Sequence, residues 1–283
     1  MSDIHKIQPL HVPGVSDYHV HCDYSIDAQG TVDEFCEAAI KRNLAEICFT
    51  THFDANPNSD GQVEYIRVKG ENRPVTVENL QPYVEDVRRV AEKYYAEGLS
   101  VKLGIEIGWY PGCEEMVERL KQQYHFDYVL CGIHELDNIC FCCRHSYERC
   151  FGRYSAEQLA EKYYTEVQVA ARTGLFDTMA HLAYYLRSGL DYYGDAVAVA
   201  HRPHLDETLR TLIDHNVGIE VNTAGIRHGL KNYYPPVEII NSARRAGVGV
   251  SFLGSDAHSP EQIGFDFEAA LALVPDTVQG CED

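Results

Sequence analysis

The chain has 283 residues, 45% of them hydrophobic and 24% charged, with a formal net charge of -19. That length and apolar content suit one large folded domain and exclude a disordered or low-complexity protein. The acidity argues against nucleic acid or an anionic membrane as partner, since both demand a basic surface. The opening stretch MSDIHKIQPLHVPG has no apolar core behind a basic flank, and no run approaches ~18 consecutive apolar residues. A cytoplasmic protein without a membrane segment is therefore expected. The ten cysteines, scattered through a chain of this size, are expected as reduced thiols.

In chain order, short apolar runs alternate with longer amphipathic ones. The first, SDYHV (16–20), leads into a histidine pair two residues apart. Strand alternation puts Asp17, His19 and His21 on one face and Tyr18 and Val20 on the other, so two imidazoles can grip one metal ion. Asp27 follows. Thr31 and Glu34 then form a capping box ahead of the periodic Phe35, Ala38 and Ala39, which predicts a helix. The second strand, EICFT (46–50), runs into His52 of FTTHFD. Residues 56–76 are polar and rich in breakers, and read as a long loop. QPYVEDVRRVAEKYY (81–95) is helical in period. VKLGIEI (101–107) is a strand carrying Glu106, a carboxylate in an apolar run that burial would penalise without a cation or hydrogen-bond partner. DYVLCGI (127–133) precedes His134, and a second long loop, 137–154, is crowded with cysteine and basic residues. A helix SAEQLAEKYYTEVQVAAR (155–172) leads to the strand DTMAHL (177–182), which holds His181. Helix HLDETLRTLIDH (204–215), strand GIEVN (218–222), helix PPVEIINSARRA (235–246) and strand GVSFLG (249–254) follow. Asp256 and His258 come next, and EQIGFDFEAALALV (261–274) predicts a last helix.

About seven β/α units in strict alternation argue for a closed or nearly closed parallel barrel. In such a barrel the C-terminal strand ends meet on one face, where barrel enzymes place their active sites. Any one of the nine acidic and histidine residues at those ends has a structural explanation as a satisfied core or turn residue. Their joint placement favours a metal pocket.

The set HxH with a following Asp, FTTH, a strand-terminal Glu, GIH, AHL and SDAH resembles the PHP (polymerase and histidinol phosphatase) superfamily over nearly the whole chain. The resemblance implies an α/β fold, a distorted seven-stranded TIM-like (β/α) barrel. It also implies three divalent transition-metal ions, zinc, iron or manganese, held by His19, His21, Asp27, His52, Glu106, His134, His181, Asp256 and His258, with Glu106 bridging two of them. One PHP domain would span 1–283, with an N-terminal extension over 1–14 and a C-terminal tail over 273–283. VNTAGIRHGLKNYYPPVEII (221–240) and TVDEFCEAAIKRNLAEICFTTH (31–52) are similar to the histidinol-phosphatase subfamily. That similarity implies a phosphomonoesterase of histidine biosynthesis, acting on L-histidinol phosphate through metal-activated hydroxide. Arg187, Arg227 and His228 would face the phosphate, and Glu106, Asp256 and His228 would be catalytic. No serine-histidine triad, Walker-type loop or phosphoenzyme aspartate motif competes with this. The alternatives are a phosphoesterase for another small phosphate or nucleotide, and a metal-binding regulatory module without turnover. The loop LDNICFCCRHSYERC departs from the subfamily. Its Cys140, Cys142, Cys143, His145 and Cys150 lack the paired knuckles of structural zinc domains, so thiols are expected over a further zinc site.

Overall fold

The computed structural model describes residues 14–60, 65–143 and 146–274. The expected extension over 1–14 and tail over 273–283 lie almost wholly outside the described residues, as does His145.

Seven parallel strands close on themselves: β1 (Val15–Val20), β2 (Leu44–Phe49), β3 (Ser100–Gly108), β4 (Tyr128–Gly132), β5 (Thr178–Met179), β6 (Gly218–Asn222) and β7 (Val250–Gly254). Each pairs with the next, and β7 returns to β1 with Leu253 opposite Asp17. After Thr50 and Thr51, β2 resumes as His52–Phe53, with His52 opposite Glu106 of β3. Parallel neighbours need crossovers. The main helices serving them are α1 (Val32–Arg42), α2 (Gln81–Tyr95), α3 (Glu114–Tyr124), α4 (Ala156–Arg172), α5 (Arg202–Asp214) and α6 (Val237–Ala246). The Thr31–Glu34 capping box forms, and Ser155 with Gln158 makes a second one at the start of α4. Helix α3 was not anticipated, although Val117, Leu120 and Tyr124 bury one face of it.

Strand alternation divides the core in two. Ile47, Phe49, Ile105, Val129, Cys131, Ile219 and Val221 belong to the large cluster between barrel and helices. Tyr18, Cys48, Tyr128, Leu130 and Ala180, with Phe252 packed on them, form a separate cluster inside the barrel. Tyr18 and Phe252 stack with ring centroids 3.7 Å apart. The interior is thus plugged by side chains, which leaves the C-terminal mouth for polar groups.

The expected alternation in β1 is not what forms. Asp17 pairs with Ile47 but Val20 pairs with Phe49, so three steps of β1 match two of β2. This slip is a β-bulge. It turns Tyr18 and His19, consecutive residues, both into the barrel. Asp17 faces away, accepting hydrogen bonds from the amides of Ser255 and Gly264, each at 2.9 Å.

Three further segments depart from expectation. The 56–76 loop contains a hairpin, Tyr65–Val68 against Glu71–Pro74, whose Ile66 and Val68 are buried. Residues 137–154 complete a small hairpin, Glu135–Leu136 with Ile139–Cys140, and a short helix, Tyr147–Phe151. The predicted helix over 261–274 is reduced to Phe267–Ala270 between two 3-10 turns. Gly264 and Asp266 take positive φ there, and the Gly264 amide is captured by Asp17, so no longer helix propagates. Among the described residues, no helix is long and apolar enough to cross a membrane.

Candidate metal centre

Glu106 is the hub. Strand β3 turns Ile105 and Ile107 outward and Glu106 inward, where its side chain is wholly buried. Its Oε2 lies 2.9 Å from His52 Nδ1, 3.3 Å from His19 Nε2 and 3.4 Å from His21 Nε2. Its Oε1 lies 2.8 Å from His181 Nε2 and 3.3 Å from His134 Nε2. Asp256, just past β7, holds Oδ1 3.2 Å from His21 Nε2 and 3.5 Å from His258 Nδ1. Asp27 stands at the mouth with its side chain 56% exposed, Oδ2 3.3 Å from His258 Nε2. All nine expected positions therefore meet in one pocket.

Burial alone would strip charge from these groups, and their mutual attraction opposes it. Burial lowers the His19 pKa, but Glu220, Glu106 and Asp256 together hold it well above the usual range. His134 is raised in the same way by Asp54 and Glu106, and His52 is carried up to about 10 by Glu106 and Asp27. His21 is pushed well down by burial and by His52 and His258. Glu106 and Asp256 overcome burial and stay well below the usual carboxylate range, chiefly through His19.

Four inward atoms, His19 Nε2, His21 Nε2, His52 Nδ1 and Glu106 Oε2, are buried and crowd one another at 2.9–3.4 Å, yet none makes a well-aligned hydrogen bond among the described residues. Each such atom costs about 1–3 kcal/mol unless something satisfies it. Mixed imidazole and carboxylate donors are the ligands of divalent transition ions. In this pocket, four triads of described residues have ligand atoms within 4.8 Å of one another: His19, His21 and Asp256; His19, Glu106 and His181; His21, His52 and His258; His52, Asp54 and His134. The residues present fit such ions.

Sequence reasoning missed two carboxylates here. Glu220 of β6 is buried, and its Oε1 accepts from His19 Nδ1 at 2.9 Å, the His181 amide at 2.6 Å and Asn222 Nδ2 at 2.9 Å. Asp54 Oδ1 lies 2.7 Å from His134 Nδ1. Partners of this kind fix the tautomer and orientation of a ligating imidazole. The signal existed: Glu220 interrupts the apolar run GIEVN as Glu106 interrupts LGIEIGW. Strand-end glycines make room for both. A Cβ on Gly254 would lie 2.1 Å from Glu220 Oε2, and one on Gly108 would lie 1.7 Å from Asp54 Oδ1. Arg67, from the unanticipated hairpin, donates to the carbonyls of Asp23, Ile26 and Ala28, bracing the loop that carries Asp27.

Arg187, Arg227 and His228 line the same cavity of about 730 Å³, beside Tyr184. Arg227 donates to the carbonyls of Ser255 at 2.9 Å and Asp256 at 2.7 Å, so it also braces the Asp256 turn. Arg187 donates to the Tyr184 hydroxyl. Burial, then Arg187, hold the His228 imidazole down at about 4.

Residues 17–224 match the family model described as PHP domain, and the chain belongs to that family, as a metal-dependent phosphatase of its histidinol-phosphatase branch. It is 31% identical over 269 residues to the probable histidinol-phosphatase of Deinococcus radiodurans, covering 93% of this chain and 94% of that protein. Against the histidinol-phosphatase of Lactococcus lactis the identity is 24% over 260 residues, 91% of this chain and 89% of that one. The crystal structure of histidinol phosphate phosphatase from Lactococcus lactis, complexed with zinc, L-histidinol and phosphate, matches with a TM-score of 0.74 at 19% identity, covering 95% of this chain and 94% of that chain. That structural likeness shows the shared fold.

Proposed function

We propose that this enzyme hydrolyses L-histidinol phosphate to L-histidinol and phosphate, a step of histidine biosynthesis, at a site for three divalent transition ions. His19, His21, Asp27, His52, Glu106, His134, His181, Asp256 and His258 would hold them, with Glu106 shared between two. The observation that carries this reading is the ring of imidazoles around buried Glu106, with their ligand nitrogens aimed inward at its oxygens. The substrate assignment is supported by relatives named histidinol-phosphatase that align over about nine-tenths of this chain.

Bound ions of this kind supply the acidity that readies a water for attack and the charge that offsets a phosphate dianion. Three divalent ions against Asp27, Glu106 and Asp256 leave roughly three positive charges, and counting Asp54 and Glu220 lowers this to roughly one. The guanidinium of Arg187 therefore matters for the remaining phosphate charge, and it reaches the cavity while donating to the Tyr184 hydroxyl. Glu106 and Asp256, whose carboxyls stay well below the usual range, would hold the cations and orient the attacking water. His228, neutral above about pH 4, offers the leaving-group side a hydrogen-bonding imidazole without adding charge. Glu135 at the cavity wall provides a carboxylate for an ammonium at the far end of the substrate.

A phosphate-release screen tests the assignment. L-histidinol phosphate should exceed p-nitrophenyl phosphate and nucleoside monophosphates in kcat/KM by at least ~100-fold, because a site with buried polar partners rejects analogues lacking them. Faster hydrolysis of a nucleotide or sugar phosphate would replace this reading with a broader phosphoesterase. Elemental analysis after chelator-free purification should give close to three ions per chain, and one or none would refute the trinuclear site.

A further inference from the structure

The cysteine loop was expected to hold unconnected thiols, and spacing alone gave no reason for more. The fold gathers three of them. The hairpin ending at Ile139–Cys140 and the turn after it bring the sulfurs of Cys140, Cys142 and Cys143 within 4.8 Å of one another. Cys140 Sγ and Cys142 Sγ lie 3.2 Å apart, closer than van der Waals contact of two sulfurs. The Cys143 amide donates to Cys140 Sγ at 3.2 Å, an interaction that favours a thiolate over a thiol. The turn is pinned from outside: Ser146 Oγ donates to the Cys140 carbonyl at 2.8 Å, and the Ser146 amide donates to the Cys143 carbonyl at 3.0 Å. All three cysteines line the cavity that leads to the histidine cluster, while Cys150 does not join the group.

We propose that Cys140, Cys142 and Cys143 form a second metal site, at the cavity wall, for a thiophilic closed-shell cation of the zinc class. Soft thiolate donors select such ions, and three protein ligands among the described residues leave one tetrahedral position for a further ligand. Binding displaces the three thiol protons to solvent, so no electron transfer is involved. As thiols the sulfurs share protons across the 3.2 Å between Cys140 Sγ and Cys142 Sγ. A cation replaces those protons and relieves the crowding. The site is independent of the substrate assignment, and its ligands are separate from the histidine cluster.

Cadmium is the probe, because its ultraviolet charge-transfer band arises from thiolate ligands and not from imidazole. The full-length protein, loaded with its own ions and kept in a phosphine reductant, is titrated with cadmium. A band saturating at a single equivalent is expected. Cys142→Ser and Cys143→Ser should each weaken cadmium binding at least ~tenfold, the lower end of what losing even an outer-sphere partner does, and should lower the band intensity. X-ray absorption of the wild type should then count about three sulfurs around cadmium. Absence of the band, or a band unchanged in both variants, would overturn the site. So would an isolated protein lighter by two hydrogens, with peptide mapping that places the lost hydrogens on Cys140 and Cys142, since that marks a disulfide in the site's place.

Discussion

Glu220 offers the sharpest test of how the metal pocket is organised, because one oxygen carries most of its contacts. Oε1 takes the bonds from His19 Nδ1, the His181 amide and Asn222 Nδ2, while Oε2 sits 3.2 Å from His19 Nδ1. Glu220→Gln retains an oxygen for those three donors and removes only the charge. Folding stability should change little, and metal affinity should fall ~10- to 100-fold, or about 1.4 to 2.8 kcal/mol. Glu220→Ala strips all three acceptor contacts at a buried position. At ~1–3 kcal/mol for each donor left unsatisfied, it should destabilise the fold by at least ~3 kcal/mol as well. Competition with a chromophoric chelator measures the affinity, and thermal unfolding with and without metal separates the two effects. A Gln variant that binds metal as tightly as the wild type, with unchanged kcat/KM, would refute the reasoning that Glu220 acts electrostatically through His19.

Other outcomes follow from the same geometry. Glu106→Gln should lose metal and turnover together, and full metal content by elemental analysis would show that the carboxylate only fills space. Arg187→Ala should lower kcat/KM about 10- to 100-fold with metal retained, as expected for a charge-assisted contact of ~1.5–3 kcal/mol. Arg227→Ala should also lower metal content, because it releases the Asp256 turn; equal metal content in both variants would contradict that distinction. Gly108→Ala should reduce both activity and metal affinity without altering any charge, by displacing Asp54 from His134, and a fully active variant would refute the packing argument. In chelated protein, His52 rises from 6.5 to about 10, and His19, His134 and His258 shift the same way. Their contribution to stability is complete below about 6.5 and is lost as pH rises toward 10. The Tm measured in chelator should therefore fall across that interval, and a flat profile would refute the coupling.

Much of the pocket was legible because metal ligands at strand ends leave two marks, a titratable residue beside an apolar run and regular recurrence of that pairing. His134 after DYVLCGI and Asp256 after GVSFLG carry both. Glu220 carries the first mark, yet it sits mid-strand, and no spacing rule shows that β1, on the far side of β7, will present His19 to it. Asp54 stands two residues past His52, where a turn residue is the ordinary reading. The slip in β1 was invisible, since a bulge is set by the pairing of two strands distant in sequence. The failed helix over 261–274 has the same origin: its apolar period is sound, but Asp17 claims the Gly264 amide from the far end of the chain.

The slip in β1 ties the foundation of the barrel to its chemistry. Tyr18 rests on Phe252 in the interior plug, and the very next residue, His19, reaches Glu106. Only a peptide unit separates a packing joint from a ligand, with no compliant segment to absorb a misfit. A change of ring size at Tyr18, Tyr128 or Phe252 touches no polar group of the pocket, yet it tilts the strand that aims His19. Plug and pocket are thus one mechanical part, and the repertoire of tolerated interior rings is set by ligand geometry as much as by volume.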